Sequence, residues 1–152
     1  MSFEIAIAKN RIPAMNSEAI ARVYEYEAEA LKRKQVPIKT FHILHAGMYT
    51  RMICLPKNVA LTGALIKIAT LLTINGDVTV KLGEKEVRYT GYQVFPASAN
   101  RKQAFAAHED TWITMQFATQ AKTVEEAENE FTDESSILLS RHGENEVVIT
   151  GE

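Results

Sequence analysis

The chain has 152 residues, 17 Lys and Arg against 19 Asp and Glu, a formal net charge of -2, 46% hydrophobic residues and 24% charged ones. That size suits one domain able to bury about two thirds of its unfolded surface without a disulfide or a metal. The charge excludes a surface built mainly to neutralise nucleic-acid phosphates, and the single cysteine, Cys54, excludes an internal disulfide framework.

In chain order, Met1 to Arg11 is a short apolar stretch interrupted by Glu4 and Lys9. It lacks the basic start and long apolar core of a secretory signal, so the cytoplasm is the expected compartment. Residues 1–15 read as an extended arm. A helix is expected from Ser17 to Gln35, capped by Asn16 or Ser17. Its apolar face is Ile20, Val23, Tyr24, Ala28 and Leu31, Glu29 and Arg33 form an i,i+4 pair, and Val36 before Pro37 ends it.

From Ile38 to Thr119 the period changes to two. Met48, Thr50, Met52 and Cys54 alternate with Tyr49, Arg51, Ile53 and Leu55, between turn signals at Ala46-Gly47 and Pro56-Lys57-Asn58. Further strands are expected at Ala69–Ile74, Val78–Leu82, Glu86–Tyr89, Tyr92–Phe95, Lys102–Ala107 and Thr111–Phe117. Asn75-Gly76 and Gly83-Glu84 read as hairpin turns. The apolar run from Ala60 to Ile74 is broken by Thr62, Gly63, Lys67 and Thr70, and reads as buried strand rather than as a membrane span. After Thr119, a capping box with Thr123 at the cap and Glu126 three residues later opens a short helix through Phe131. Val147-Val148-Ile149 reads either as a terminal strand or exchanged arm, or as a frayed end.

Short strands with regularly spaced turns point to an all-β antiparallel sandwich or barrel. One globular domain is expected: an arm and helix over 1–37, a barrel over 38–119, and a helix and tail over 120–152. Phe41 to Thr119 resembles a cupin, a jelly-roll barrel, and more narrowly the small cupin-like proteins of phage and prophage genomes. The residues that carry the resemblance are His45-Ala46-Gly47-Met48-Tyr49-Thr50-Arg51, Leu61-Thr62-Gly63, Ile74-Asn75-Gly76-Asp77-Val78, Gly91 to Pro96, and Glu109-Asp110-Thr111-Trp112. It covers about half the chain. Metal-binding cupins place two histidines and a glutamate between the glycines that match Gly63 and Gly76, and a further histidine after the position of Pro96. Here the first interval holds no His, Glu, Asp or Cys, and Ala97 to Lys102 follows Pro96. The resemblance therefore implies a barrel without the family's metal ligands, with no cofactor, lined or filled by Ile66, Ile68 and Leu71.

Other residues are weighed one by one. His42 and His45 lie three apart, so on a strand they face opposite ways. Joined by His108 they are the weak metal candidates, against the reading of ordinary hydrogen-bonded histidines. His108-Glu109-Asp110 reads as a polar loop with Asp110 accepting from backbone. Cys54 reads as a small hydrophobe on a partly apolar strand face. Arg88, Tyr92, Arg101 and Lys102 are the ligand-binding candidates, a basic-aromatic patch for an anionic ligand, against a solvated loop. Tyr24, Tyr26, Leu31, Trp112 and Phe117 need burial, either in a core or in a subunit interface.

No catalytic residue is assigned. The leading expectation is a non-enzymatic homo-oligomer, a dimer or higher, acting as a structural or small-ligand-binding module. The alternatives are a cupin-type enzyme with a non-standard site at His42, His45 and His108, and a binder of an anionic small molecule or nucleic acid. Nucleic acid and membrane are not expected partners.

Overall fold

Asn16 opens the first helix, its side-chain oxygen accepting from the Ala19 N–H at 2.8 Å. In the computed structural model, which describes residues 11–82 and 84–152, this helix, α1, spans Ser17–Ala30. It stops short of the expected Gln35, and its buried residues are Ala19 and Val23, which pack with Met15 against Ala104. Leu31 is 65% exposed, and Tyr24, Tyr26 and Ala28 are exposed as well. The expected face is thus rotated toward Ala19 and Val23, which meet Ala104 of the body. Glu29 pairs with Lys32 rather than with Arg33.

Eight strands follow: β1 Thr40–His45, β2 Met48–Leu55, β3 Ala60–Thr62, β4 Thr70–Leu82, β5 Lys85–Ala97, β6 Ala104–Ala107, β7 Thr111–Ala118 and, at the C-terminus, β8 Asn145–Ile149. Between β7 and β8 lie α2, Val124–Phe131, and two 3-10 turns, Ser135–Ile137 and Leu139–Arg141. The α2 cap is the expected one, with the Glu126 N–H donating to Thr123 Oγ1 at 3.1 Å.

The strands run in space β3-β6-β4-β7-β2-β1-β8, with β5 paired to β4. This is the all-β jelly-roll type of fold, a curled sheet carrying an N-terminal and a short C-terminal helix. All pairs are antiparallel except β1 with β8, which is parallel. The described end of the arm, from Arg11, packs on the body, Ile12 being fully buried and bonded to Pro96 and Ser98. Residues 1–10 and Gly83, where part of the arm and one hairpin turn are expected, lie outside the described residues.

Asn75-Gly76 is not a hairpin. β4 runs straight through it, and the four short strands expected between Ala69 and Phe95 are the two long ones, β4 and β5. On one edge β4 pairs with β5 from Thr70↔Ala97 to Leu82↔Lys85. On the other edge it changes partner, from β7 over Leu71–Asn75 to β6 over Val78–Lys81. Gly76 sits at the change, where a Cβ would stand 2.7 Å from the Thr111 Cα and 2.8 Å from the Asp110 carbonyl oxygen. A glycine that signals a turn locally is here needed for close backbone approach.

Inward side chains alternate along each strand. Leu72, Ile74, Val78, Val80, Phe95, Phe105 and Ile113 form the main core. A second cluster places Ala127 and Phe131 of α2 on Tyr49, Met115 and Phe117. Leu71, expected to line the barrel interior, and Trp112, expected in a core or in a subunit interface, are both 42% exposed because they fall on the outward positions of β4 and β7. Among the described residues no helix is long and apolar enough to cross a membrane.

Candidate functional site

The inward faces of the strands do not meet everywhere. A cavity of about 490 Å³ is left between Ile53, Leu72, Phe105, Ile113 and Met115 of the strands, Ile66 of the β3–β4 connection, the end of α1, and Phe131 with the 3-10 turns behind α2. Its size is that of a small-molecule site, and its walls are mainly apolar.

The polar exceptions define its chemistry. Arg101 lines the cavity and is only 1% exposed. It donates to the Ser98 carbonyl at 2.6 Å, to Thr70 Oγ1 at 2.6 Å and, at 3.4 Å, to the Ile68 carbonyl. No carboxylate among the described residues pairs with it, and burial alone lowers its pKa to about 10. It remains a cation at neutral pH. Its Nε, the Gln103 Nε2 and the Thr40 Oγ1 are the buried side-chain polar atoms that find no hydrogen-bond partner among the described residues. All three residues line this cavity.

Lys102, the next residue, shows the contrast. It is 0% exposed, yet its ammonium reaches Glu27 at 3.0 Å, the Gly63 carbonyl at 2.9 Å and Glu134 at 3.8 Å, and lies 4.3 Å from the Tyr24 ring centroid. It fastens α1 to the barrel. Tyr24 donates to Glu134 at 2.8 Å, and partial desolvation of its hydroxyl and that bond push its pKa up to about 12. Of the ligand-binding candidates, Arg88 is exposed on β5 and doubly bonded to Asp77 at 2.7 and 2.8 Å, and Tyr92 stands 70% exposed on the outer face. The expected patch is not assembled. Arg101 alone of the four lines the cavity, and the reading of a solvated loop fails for both Arg101 and Lys102.

The histidines do not converge either. His45 is exposed beside Thr150, and His108 bonds Thr79 at 2.7 Å. His42 is buried on the inner face of β1, as the three-residue spacing requires. Among the described residues no three His, Cys, Asp or Glu side chains are grouped to hold a metal ion. The cavity wall offers one imidazole, His142, bonded to the Ser136 carbonyl, and one carboxylate, Glu27, bonded to Lys102 and Thr62. These residues do not fit the metal that metal-binding cupins hold.

His42 belongs instead to a buried network. The Asn145 amide donates to the Ser140 and Gly143 carbonyls, so its oxygen accepts from His42 Nε2, at 2.6 Å. His42 Nδ1 then accepts from the Tyr49 hydroxyl at 2.7 Å. Arg51 donates to that hydroxyl at 3.2 Å and to Glu128 at 2.8 Å. Burial lowers the His42 pKa, the Arg51 charge adds to that, and the Asn145 bond and Glu128 charge only partly oppose it. Protonation therefore favours the unfolded chain. Stability is expected to be full above about pH 6.5 and to fall as pH drops through the folded pKa, by at most about 1.4 kcal/mol per pH unit from this group. Urea titrations from pH 7.5 to 5 of the wild type and of His42→Gln check this, the substitution being expected to flatten the slope.

The sequence misses the cavity's orphaned atoms. Thr40 and Gln103 carry no motif, and an arginine is by default a surface residue. The one signal was Arg101-Lys102 opening a segment otherwise as apolar as Ala104-Phe105-Ala106-Ala107.

No protein-family model matches the chain, and no curated protein matches it. Among solved structures it is similar to a cupin superfamily protein from Desulfitobacterium hafniense, at 9% identity over 61% of this chain and 87% of that one, with a TM-score of 0.46. It is similar also to the cupin domain of Schizosaccharomyces pombe Cnp3, at 11% identity, 53% and 60% coverage and a TM-score of 0.44. A third is KdgF from a Halomonas species, at 13% identity, 51% and 76% coverage and a TM-score of 0.42. The jelly-roll description of this chain rests on its own strand order and register.

Proposed function

We propose that the protein is a non-enzymatic small-molecule-binding module, and that its ligand is an organic anion with an apolar body, held in the barrel cavity. The observation that carries this is Arg101: a buried guanidinium with no counter-ion among the described residues, in the wall of a mainly apolar cavity. A buried charge without a partner costs several kcal/mol. Such a cost persists where a function uses the charge. An acid group on a ligand would supply the missing negative charge and give the Gln103 amide an acceptor. The apolar walls would take the rest of the molecule. The wall hydroxyl that has a carboxylate beside it, Thr62, donates to Glu27 at 2.7 Å, and that carboxylate is committed to the Lys102 ammonium, which favours binding over turnover.

Two probes of nearly the same apolar body separate the charge from the cavity. 8-Anilinonaphthalene-1-sulfonate carries an anion and N-phenyl-1-naphthylamine does not. In fluorescence titrations both are expected to bind the wild type at one site per chain. Arg101→Met is expected to weaken the sulfonate about tenfold or more, in line with the loss of one charge-assisted contact, and the neutral probe less than about twofold. Absence of binding by either probe would overturn the cavity reading. Equal loss of both would overturn the role of Arg101.

A further inference from the structure

The outward positions of β5, β4, β7, β2 and β1 form one continuous field. Register places Val94, Thr73, Thr114, Met52 and Phe41 in a single row across the five strands. The row on one side of it runs Tyr92, Asn75, Trp112, Cys54, and the row on the other runs Pro96, Leu71, Gln116, Thr50, Ile43. None of these positions is charged, in a chain of which 24% is Asp, Glu, Lys or Arg. Leu71, Tyr92, Val94 and Trp112 are exposed, and Phe41, Met52 and Cys54 are half-buried between them. Neither helix lies over this face, since α1 packs on Ala104 and α2 on the second core cluster. Monomers seldom leave so much joined apolar surface in water.

The field ends in charge at two sides, and there the charges are already paired. Beyond the Gly76–Gly91 bend, Arg88 meets Asp77 at 2.7 Å. At the β1 end Lys39 meets Glu146 at 2.6 Å. A charged partner would find no opposite charge to pair with.

We infer that this face is a self-association surface, on which a second copy of the same chain packs face to face about a twofold axis. An uncharged face is complementary to itself, because the twofold brings no like charges together. The area suffices. Five strands at a spacing of roughly 4.8 Å, with three outward residues on each of β5, β4, β7 and β2 and two on β1, span roughly 24 by 20 Å. Two such faces bury about 1,000 Å² before side-chain relief is added, which is the lower bound for a specific interface. The paired charges at the edges form a charged rim around an uncharged field of Thr, Trp, Met and Leu side chains, and contacts of this kind have a polar rim.

Sedimentation velocity of the full chain over a hundredfold concentration range tests this. The wild type is expected to be a dimer. Val94→Lys and Trp112→Lys, each burying two uncompensated charges in the twofold interface, are expected to raise the dissociation constant at least tenfold. Lys122→Glu, on the exposed segment before α2, is expected to leave it unchanged. The reaction of Cys54 with a thiol reagent gives a readout that needs no substitution, and should slow as the wild type is concentrated. A wild type that stays monomeric, with Cys54 equally reactive at all concentrations, overturns the inference and leaves the face to a different partner. A dimer that Val94→Lys and Trp112→Lys leave intact places the interface elsewhere and overturns it equally.

Discussion

Replacing Glu128 with alanine should destabilise the fold by about 3–5 kcal/mol, the loss expected when one member of a buried charge cluster is removed. Glu128 stands on α2 with 1% of its surface exposed. Its carboxylate accepts from Arg51 at 2.8 Å, from Arg141 at 2.7 Å and from the Ser140 hydroxyl. Without it two guanidinium groups face each other with no anion between them. The same cluster ties the chain after α2 to the inner face of β2, so its loss should loosen that segment first. Burial alone would raise the Glu128 pKa, but the bonds from Ser140, Arg141 and Arg51 outweigh it and hold the carboxyl below its ordinary value. Its contribution is therefore present above about pH 4.3 and lost as pH falls through the folded pKa. Urea denaturation at pH 7 reads the loss. A loss under about 1 kcal/mol would mean that the cluster behaves as an exposed pair. A double substitution, Arg51→Met with Glu128→Leu, should recover part of the loss, since apolar replacements remove the desolvation penalty with the charges.

Gly76→Ala is the other change expected to have a large effect, about 3 kcal/mol or more. The added Cβ would meet the Thr111 Oγ1 at 2.5 Å, and its further contacts are backbone, so no rotamer change relieves it. The φ of +154° adds strain for any L side chain. Gly91, paired with Gly76 across the hairpin, is the control. It has φ +75° and open space where a Cβ would stand. Gly91→Ala should cost only the left-handed conformation, about 1–2 kcal/mol. Thermal or urea unfolding of the two variants in parallel separates crowding from conformation. Equal losses would show that the approach of β4 to Thr111 is not limiting.

What could be read in the sequence follows from the range of the interaction concerned. β2 has the expected bounds because its period-two pattern lies between two local turn signals, at Ala46-Gly47 and Pro56. The start of α2 is legible because a capping box is contained in four residues. Asn75-Gly76 misleads because turn preference is local, whereas the need for glycine comes from Thr111, thirty-five positions along the chain. Leu71 was placed inside by the resemblance and Trp112 in a core or a subunit interface by its size, and no local pattern says which way a strand faces once both of its sides carry hydrophobic residues. The site was legible in one residue. Arg101 was named as a ligand-binding candidate, but in the company of Arg88, Tyr92 and Lys102, since proximity to Thr40 and Gln103 exists only after the barrel closes.

The strand order also governs how fast the barrel can assemble. Only β1 with β2 and β4 with β5 are neighbours in sequence. Every other pairing joins distant segments: Met48 meets Ala118, Leu71 meets Gln116, and the C-terminal Val148 returns to Ile43. Each of these closes a long loop before any contact is gained, so the chain should fold slowly, on the millisecond-to-second scale of non-local β topologies. The long β4–β5 hairpin is the one large piece that can form first. Until β7 arrives, that hairpin stands with an open edge, and this makes the interval before closure the one in which misassembly competes with folding.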